Sequence, residues 1–211
     1  MLEIQLTDEL RIFPKKTLKL DKGITVLIGC NGSGKSTLLR EIRDTFKGDK
    51  DYVFLSFDNV SEGGVHELGR RLYRVGAAEA GSFLLSSEGE RIYSSLGGFI
   101  MKLGSTLEKE PKDKPAILTM DAVDSGFSVD NIIELRHFFE ALMNEFQPER
   151  KFYIVIASNA FATCNEVYSI DVTTFDEHYL TDYKEFERVI MESRERKDKR
   201  NKKKTRKKQK R

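Results

Sequence analysis

The sequence predicts an α/β sandwich built around a mostly parallel sheet. Three observations carry that expectation. Short apolar segments recur along the chain, amphipathic helical segments separate them, and a Gly-rich turn joins one strand, Gly23 to Ile28, directly to a helix beginning at Lys35. At 211 residues the chain suits one domain with a sizeable core.

Taken in order, residues 2–6 alternate apolar and polar and read as a first strand, with a short second strand at residues 18–20. Residues 23–28 are rich in β-branched side chains, which marks a buried strand. In residues 35–46, Leu38, Leu39, Ile42 and Phe46 recur at helical spacing. Residues 52–57 form another apolar strand. Residues 65–75 and 89–103 have helical patterns and make a short helical insertion, followed by a polar loop at 108–114. Residues 116–120 form a buried strand ending in an acid. Residues 128–146 carry the stripe Ile132, Leu135, Phe139, Leu142 and Phe146, with Ser128 placed to cap the helix. Strands are expected at 152–157 and 167–172, and a last helix starts at Tyr183 and runs into a basic tail. The expected division is a domain over residues 1–192 and a flexible or helical tail over 193–211.

Composition narrows the classes. Hydrophobic residues make up 39% and charged residues 33%, which is globular rather than disordered. No apolar run approaches the roughly 18 residues of a membrane span, so no membrane segment is expected. The first residues carry acids and do not read as a signal peptide. Cys30 and Cys164 are too few for a disulfide framework, and His66, His137 and His178 lie far apart, so zinc spacing is absent. A cytoplasmic location is the expectation. The net charge of +2 conceals two regions. Residues 194–211 hold 13 Lys or Arg and two acids, a charge of +11, which leaves 23 basic and 32 acidic residues, or −9, in the body.

The chemistry begins at residues 29–36, Gly-Cys-Asn-Gly-Ser-Gly-Lys-Ser, which fit G-x-x-x-x-G-K-[ST] in full. A strand precedes the segment and a helix follows it, the context the motif requires. Gly29, Gly32 and Gly34 let the backbone bend so that successive N–H groups, with Asn31, Ser33 and Thr37 in the same loop, face phosphate oxygens. The positive end of the Lys35 helix adds to that field. Lys35 is expected at the β- and γ-phosphates and the Ser36 hydroxyl on Mg²⁺. ATP and Mg²⁺ are the expected ligands.

The wording of this loop, continued by Thr37, resembles the ABC-type P-loop ATPases, including the SMC and DNA-repair heads. The resemblance implies an ABC-type sandwich and further site residues. Residues 116–121, Ala-Ile-Leu-Thr-Met-Asp, look like a Walker B strand that delivers Asp121 to Mg²⁺. Residues 121–128 look like the family's Walker B and D-loop segment. Residues 85–91, Leu-Ser-Ser-Glu-Gly-Glu-Arg, resemble the signature that closes over a partner's ATP, with Ser87 and Gly89 in the matching places; an ordinary Ser-capped helix start is the competing reading. Asp58 or Asn59 stands where the family has a Gln that senses Mg²⁺ and water, although a polar turn would look the same. The family's switch His is replaced by Asn159, and its catalytic Glu by Ala122, with Asp124 the carboxylate close by. The overall layout resembles small stand-alone ABC-like ATPases of the kind carried by bacteriophages, which would place the protein in a host cytoplasm.

The resemblance implies a protein that forms an ATP-dependent homodimer and works as an ATP-driven or ATP-gated switch with slow hydrolysis. Asp124 and Asn159 are the candidate catalytic residues. The basic arm is expected to contact a polyanion, nucleic acid first, and to be separable from ATP binding; a merely solubilising tail is the alternative. Two other functions compete: a nucleotide-gated module binding an unidentified protein, and a P-loop small-molecule kinase with Arg70, Arg71 and Arg74 as a lid.

Overall fold

The computed structural model describes residues 1–58, 88–122, 128–146 and 149–209, with the side chains of 88–95, 146 and 203–209 excepted. The 65–75 helix therefore lies outside the described residues. Eight strands and five helices are described: β1 (Leu2–Gln5), β2 (Thr17–Leu20), β3 (Gly23–Ile28), α1 (Lys35–Phe46), β4 (Val53–Asp58), α2 (Glu88–Lys109), β5 (Ala116–Asp121), α3 (Val129–Phe146), β6 (Phe152–Ala157), α4 (Phe161–Cys164), β7 (Tyr168–Asp171), β8 (Asp176–Tyr179) and α5 (Tyr183–Gln209).

Strands β1 and β2 pair antiparallel as a separate hairpin. The other six form one sheet in the order β4-β5-β6-β3-β7-β8, parallel throughout except at β8. The chain is thus α/β with a mostly parallel six-stranded sheet.

The sheet is buried on both faces, and the period-two alternation of each strand divides its side chains between two cores. Phe152, Ile154 and Ile156 of β6 join Leu118 and Met120 of β5 beneath α2 and α3, where Leu103 and Phe139 are wholly buried. Tyr153 and Val155 point the other way, with Ile117 and Leu27, into a core closed by α1 and the β1–β2 hairpin. A smaller core joins Val26 and Ile28 of β3 to Phe186 and Val189 of α5. Buried Arg150 anchors the end of α2 by donating through Nη2 to the carbonyls of Leu107, Glu110 and Pro111 at 2.8–3.1 Å. A cation there complements the negative end of the helix.

Two differences from the sequence reading bear on the site. Residues 176–179, Asp-Glu-His-Tyr, form an antiparallel edge strand that no apolar pattern announces. The last helix runs unbroken from Tyr183 through Ser193, the expected start of a separate tail. Its continuation is docked rather than loose. Asp171, only 1% exposed, accepts 2.8 Å bonds from Arg196 Nη1, Thr173 N and Thr173 Oγ1.

That pair should hold the basic helix against the sheet. Removing Arg196 leaves a buried carboxylate with the Thr173 donors alone, so Arg196→Ala is expected to lower stability by about 1–3 kcal/mol. Half-exposed Glu192 pairs with the same Arg196, and Glu192→Gln should change little by comparison. Urea unfolding of both variants checks this, and equal stability of the two would remove Asp171 as the anchor.

Candidate functional site at the carboxyl edge of the sheet

Parallel strands all end at one edge, and register decides which ends meet. Leu27 of β3 lies opposite Ala157 of β6, Met120 of β5 opposite Ile156, and Asp58 of β4 opposite Asp121. The residues that follow these strands, or end them, are Gly29, Asn159, Asp121 and Asp58. Strand β6 sits between β3 and β5, so Asn159 lies between the glycine loop and Asp121.

The loop between β3 and α1 takes its shape from its glycines. Gly29, Gly32 and Gly34 all have positive φ, at 139°, 73° and 125°. At Gly29 a Cβ would lie 2.9 Å from Ser33 Oγ, and at Gly34 it would lie 3.1 Å from Ile12 Cδ1. Both positions exclude other residues through conformation and contact together. Ser33 is buried with its hydroxyl turned beneath the loop toward Gly29, so it offers the loop its backbone more readily than its side chain. No side chain caps the start of α1, where Gly34 is the N-cap. The first amides of the helix are thus the kind of donors an anion meets.

Lys35 folds back over the loop and is 8% exposed. Its Nζ donates to Gly29 O at 2.7 Å and to Asn159 Oδ1 at 2.6 Å. Ser36 hydrogen-bonds the Asp121 carboxylate, which also accepts from the Ala122 N–H. Burial raises the pKa of Asp121 above the ordinary carboxylate value, and the nearby charge of Asp58 pushes the same way; Ser36, Ala122 and Lys35 oppose them. Ala122 sits in the left-handed region at φ 53°, a conformation that costs an L-residue roughly 1–2 kcal/mol and that marks many functional turns.

A cleft of about 400 Å³ runs over this arrangement. Asn31, Gly32, Gly34, Lys35, Ser36 and Thr37 form its floor, and Asp121, Ala122 and Asn159 one end. Leu10, Ile12, Ala157, Arg200 and Asn201 complete its lining. Of the residues expected from sequence, Asp58 stands beside Asp121 in register, and Gly29 and Ser33 lie beneath the cleft. Gly89 falls in the first turn of α2. Ser87, Asn59 and Asp124 lie outside the described residues.

No protein-family model matches the chain, and no curated protein matches it. The site therefore rests on its own geometry.

Sequence reasoning missed how the cleft is walled. Residues 7–13 are held to α1 by Glu41, whose carboxylate accepts from Thr7 N at 2.7 Å and Asp8 N at 3.0 Å. Asp8 in turn caps the turn by accepting from Ile12 N at 2.7 Å. The adjoining wall is α5. Ser193 Oγ accepts from the Cys30 N–H at 2.7 Å, and Lys197 Nζ donates to Asn31 O at 3.0 Å. Arg200 donates to Ile12 O at 2.7 Å and Ser33 O at 3.3 Å. Nothing in the sequence reading pointed to either wall. The arm expected to act apart from the phosphate loop is in contact with it, so deleting residues 194–211 would disturb both.

The donor set at Asp121 is hard oxygen, two carboxylates and a hydroxyl, which fits Mg²⁺ completed by phosphate and water rather than a soft metal. Among the described residues no group of three or more His, Cys, Asp or Glu gathers as a metal site, at Asp121 or elsewhere.

The raised pKa of Asp121 has a consequence for stability without metal. Ionisation is disfavoured by folding, so its penalty is absent below the unfolded pKa and complete once pH exceeds the raised folded value. Asp121→Asn in EDTA should therefore match wild type in acid and become the more stable of the two as pH rises from the ordinary carboxylate range toward neutrality. Parallel thermal unfolding curves would show it, and a gain that instead shrank with rising pH would contradict the assignment.

Proposed function

We propose that this protein binds Mg-ATP in the cleft above β3, β5 and β6 and works as an ABC-type P-loop ATPase, a slow one in which ATP acts chiefly as a switch. The observation that carries the reading is the meeting of Lys35, Ser36 and Asp121, contributed by a complete phosphate-loop motif and a separate strand end. The glycine loop would wrap the phosphates with its amides, Lys35 would turn from Asn159 to the β- and γ-phosphates, and Ser36 and Asp121 would hold Mg²⁺ with Asp58 behind them. When bound, that ion neutralises phosphate charge.

Two features of the same edge support slow turnover. Hydrolysis requires a water aligned with the γ-phosphate and a group to orient or deprotonate it. Ala122 supplies no such group, and Asn159 cannot exchange a proton near neutral pH. Asp124 remains the candidate carboxylate. The ABC resemblance at Ser87 and Gly89 adds an ATP-dependent homodimer, each copy closing over the other's nucleotide. Exposed cations of α5, such as Arg194, Lys199 and Lys202, make nucleic acid the polyanion of choice for a client. The competing reading, a nucleotide-gated module that binds a protein, shares the same site and differs in turnover and client.

Lys35→Ala removes a charged donor from the phosphates, worth about 1.5–3 kcal/mol, so the Kd for Mg-ATP should rise on the order of ten- to a hundredfold. Calorimetry giving equal affinity for wild type and variant would refute the site.

Supplying the missing base should accelerate the reaction. A positioned general base contributes ~10²–10⁴-fold, so Ala122→Glu is expected to raise steady-state ATP turnover while leaving Mg-ATP affinity near wild type. A fast wild-type enzyme unaffected by Asp124→Ala would show that the catalytic group lies elsewhere.

A further inference from the structure

The ATP reading accounts for the phosphate end of the cleft and leaves its other lining residues without a role. Arg200 is the most informative of these. It arrives from the last helix, 167 residues after the Ser33 it touches. Nη1 and Nη2 donate to the carbonyls of Ile12 and Ser33, and Nε is buried without a hydrogen-bond partner. The two terminal nitrogens thus already serve protein carbonyls and the third is shut away, yet the side chain still lines the cleft. Each terminal nitrogen keeps a second N–H, and the two backbone bonds fix the plane of the guanidinium, so its flat face is the feature held preorganised for a ligand. Such a face suits a planar aromatic ring better than a phosphate oxygen, which seeks N–H groups in the plane. Leu10 and Ile12, apolar and lining the same cleft, would flank the ring. Lys35, Ser36 and Asp121 already account for the charge of the phosphates.

Resting on the nucleotide reading above, we propose that Arg200 of the C-terminal basic helix is a nucleobase-contacting residue, stacking its guanidinium on the base of the bound nucleoside triphosphate against Leu10 and Ile12. The helix is then part of the binding site and not an appendage to it. Arg200 keeps its charge despite partial burial, which lowers its pKa from a very high value. A neighbouring hollow lined by Leu10, Thr37 and Arg40 is the other place a base could sit. Arg40 is exposed there, whereas Arg200 is held ready.

The test compares Mg-ATP with Mg-tripolyphosphate, which has the phosphates and no base, by calorimetry on the full chain. Wild type, Arg200→Ala, Arg200→Lys and Arg40→Ala are measured, with thermal unfolding of each. Arg200→Ala should weaken ATP about tenfold relative to tripolyphosphate. Arg200→Lys keeps the charge without the flat face, and should weaken ATP by a larger factor than tripolyphosphate. Losses of equal size for both ligands in Arg200→Lys would make Arg200 a support of the loop and overturn the proposal, as would unchanged ATP affinity in both Arg200 variants or a selective loss of ATP in Arg40→Ala instead. Wild type binding neither ligand would overturn the nucleotide reading itself, a result distinct from wild type binding both with Arg200 indifferent.

Discussion

The register of four parallel strands is the constraint on which the site depends. In the proposed reading the phosphates need a loop, a cation and a carboxylate close together; residues 29–36 supply the loop and Lys35, residue 121 the carboxylate, and Asn159 holds Lys35 between them. Only the pairings of β3 with β6, β6 with β5, and β5 with β4 bring them to a common height. Slipping one of these strands by a residue would turn its apolar side chains to the opposite core and carry its terminal residue away from the others. The two cores that sandwich the sheet are therefore also what aligns the site. Ile154 beneath α2 and α3, and Val155 beneath α1, fix β6 from opposite faces.

A second layer of organisation comes from the chain's last helix. A glycine loop bent to aim amides outward has carbonyls that must find donors on its other side. Helix α5 supplies them, with Lys197 at Asn31 O and Arg200 at Ser33 O, while Ser193 accepts the Cys30 N–H. The helix is fixed at its base by Phe186 and Val189 in the small core and by the buried Asp171 farther along. Basic residues spaced along one face thus perform structural work before any partner is considered. The charge of the arm is divided among its described residues: Arg196, Lys197 and Arg200 bond to the body, and Arg194, Lys199 and Lys202 are exposed.

How far the sequence carries depends on whether the decisive signal is local. Strands β3 and β6 and helix α1 end where periodicity and composition place them, because each has an apolar pattern matched to its environment and an abrupt boundary in glycine or a polar residue. The motif likewise holds strand, loop and helix in one contiguous stretch. Arg200 illustrates the opposite case. Nothing in a run of Lys and Arg separates a residue bonded to Ile12 and Ser33 from one facing solvent, since the difference lies in residues 188 and 167 positions away. Strand β8 escaped for another reason: at a sheet edge, backbone pairing with β7 suffices, and its side chains are largely exposed, so no alternation is imposed. Short α4 and the left-handed turn at Ala122 are too local for periodicity and carry no glycine to announce them.

The pairing of Lys35 with Asn159 suggests why a neutral amide suits this position. A buried ammonium needs acceptors when no phosphate is present, or it pays for desolvation without return. In the proposed reading a carboxylate would satisfy it too well, since charge-assisted hydrogen bonds are roughly twice as strong as neutral ones and an incoming phosphate would have to break one. The amide oxygen of Asn159 and the carbonyl of Gly29 hold the charge in place at modest cost and release it readily. Asp121 has the complementary arrangement: burial and Asp58 make its negative charge uncomfortable until a cation arrives. Both groups are therefore held by neighbours that a nucleotide and its metal ion could replace. In the proposed reading, Mg-ATP completes both at once, and the free energy of that completion is what a nucleotide switch would have available to drive closure.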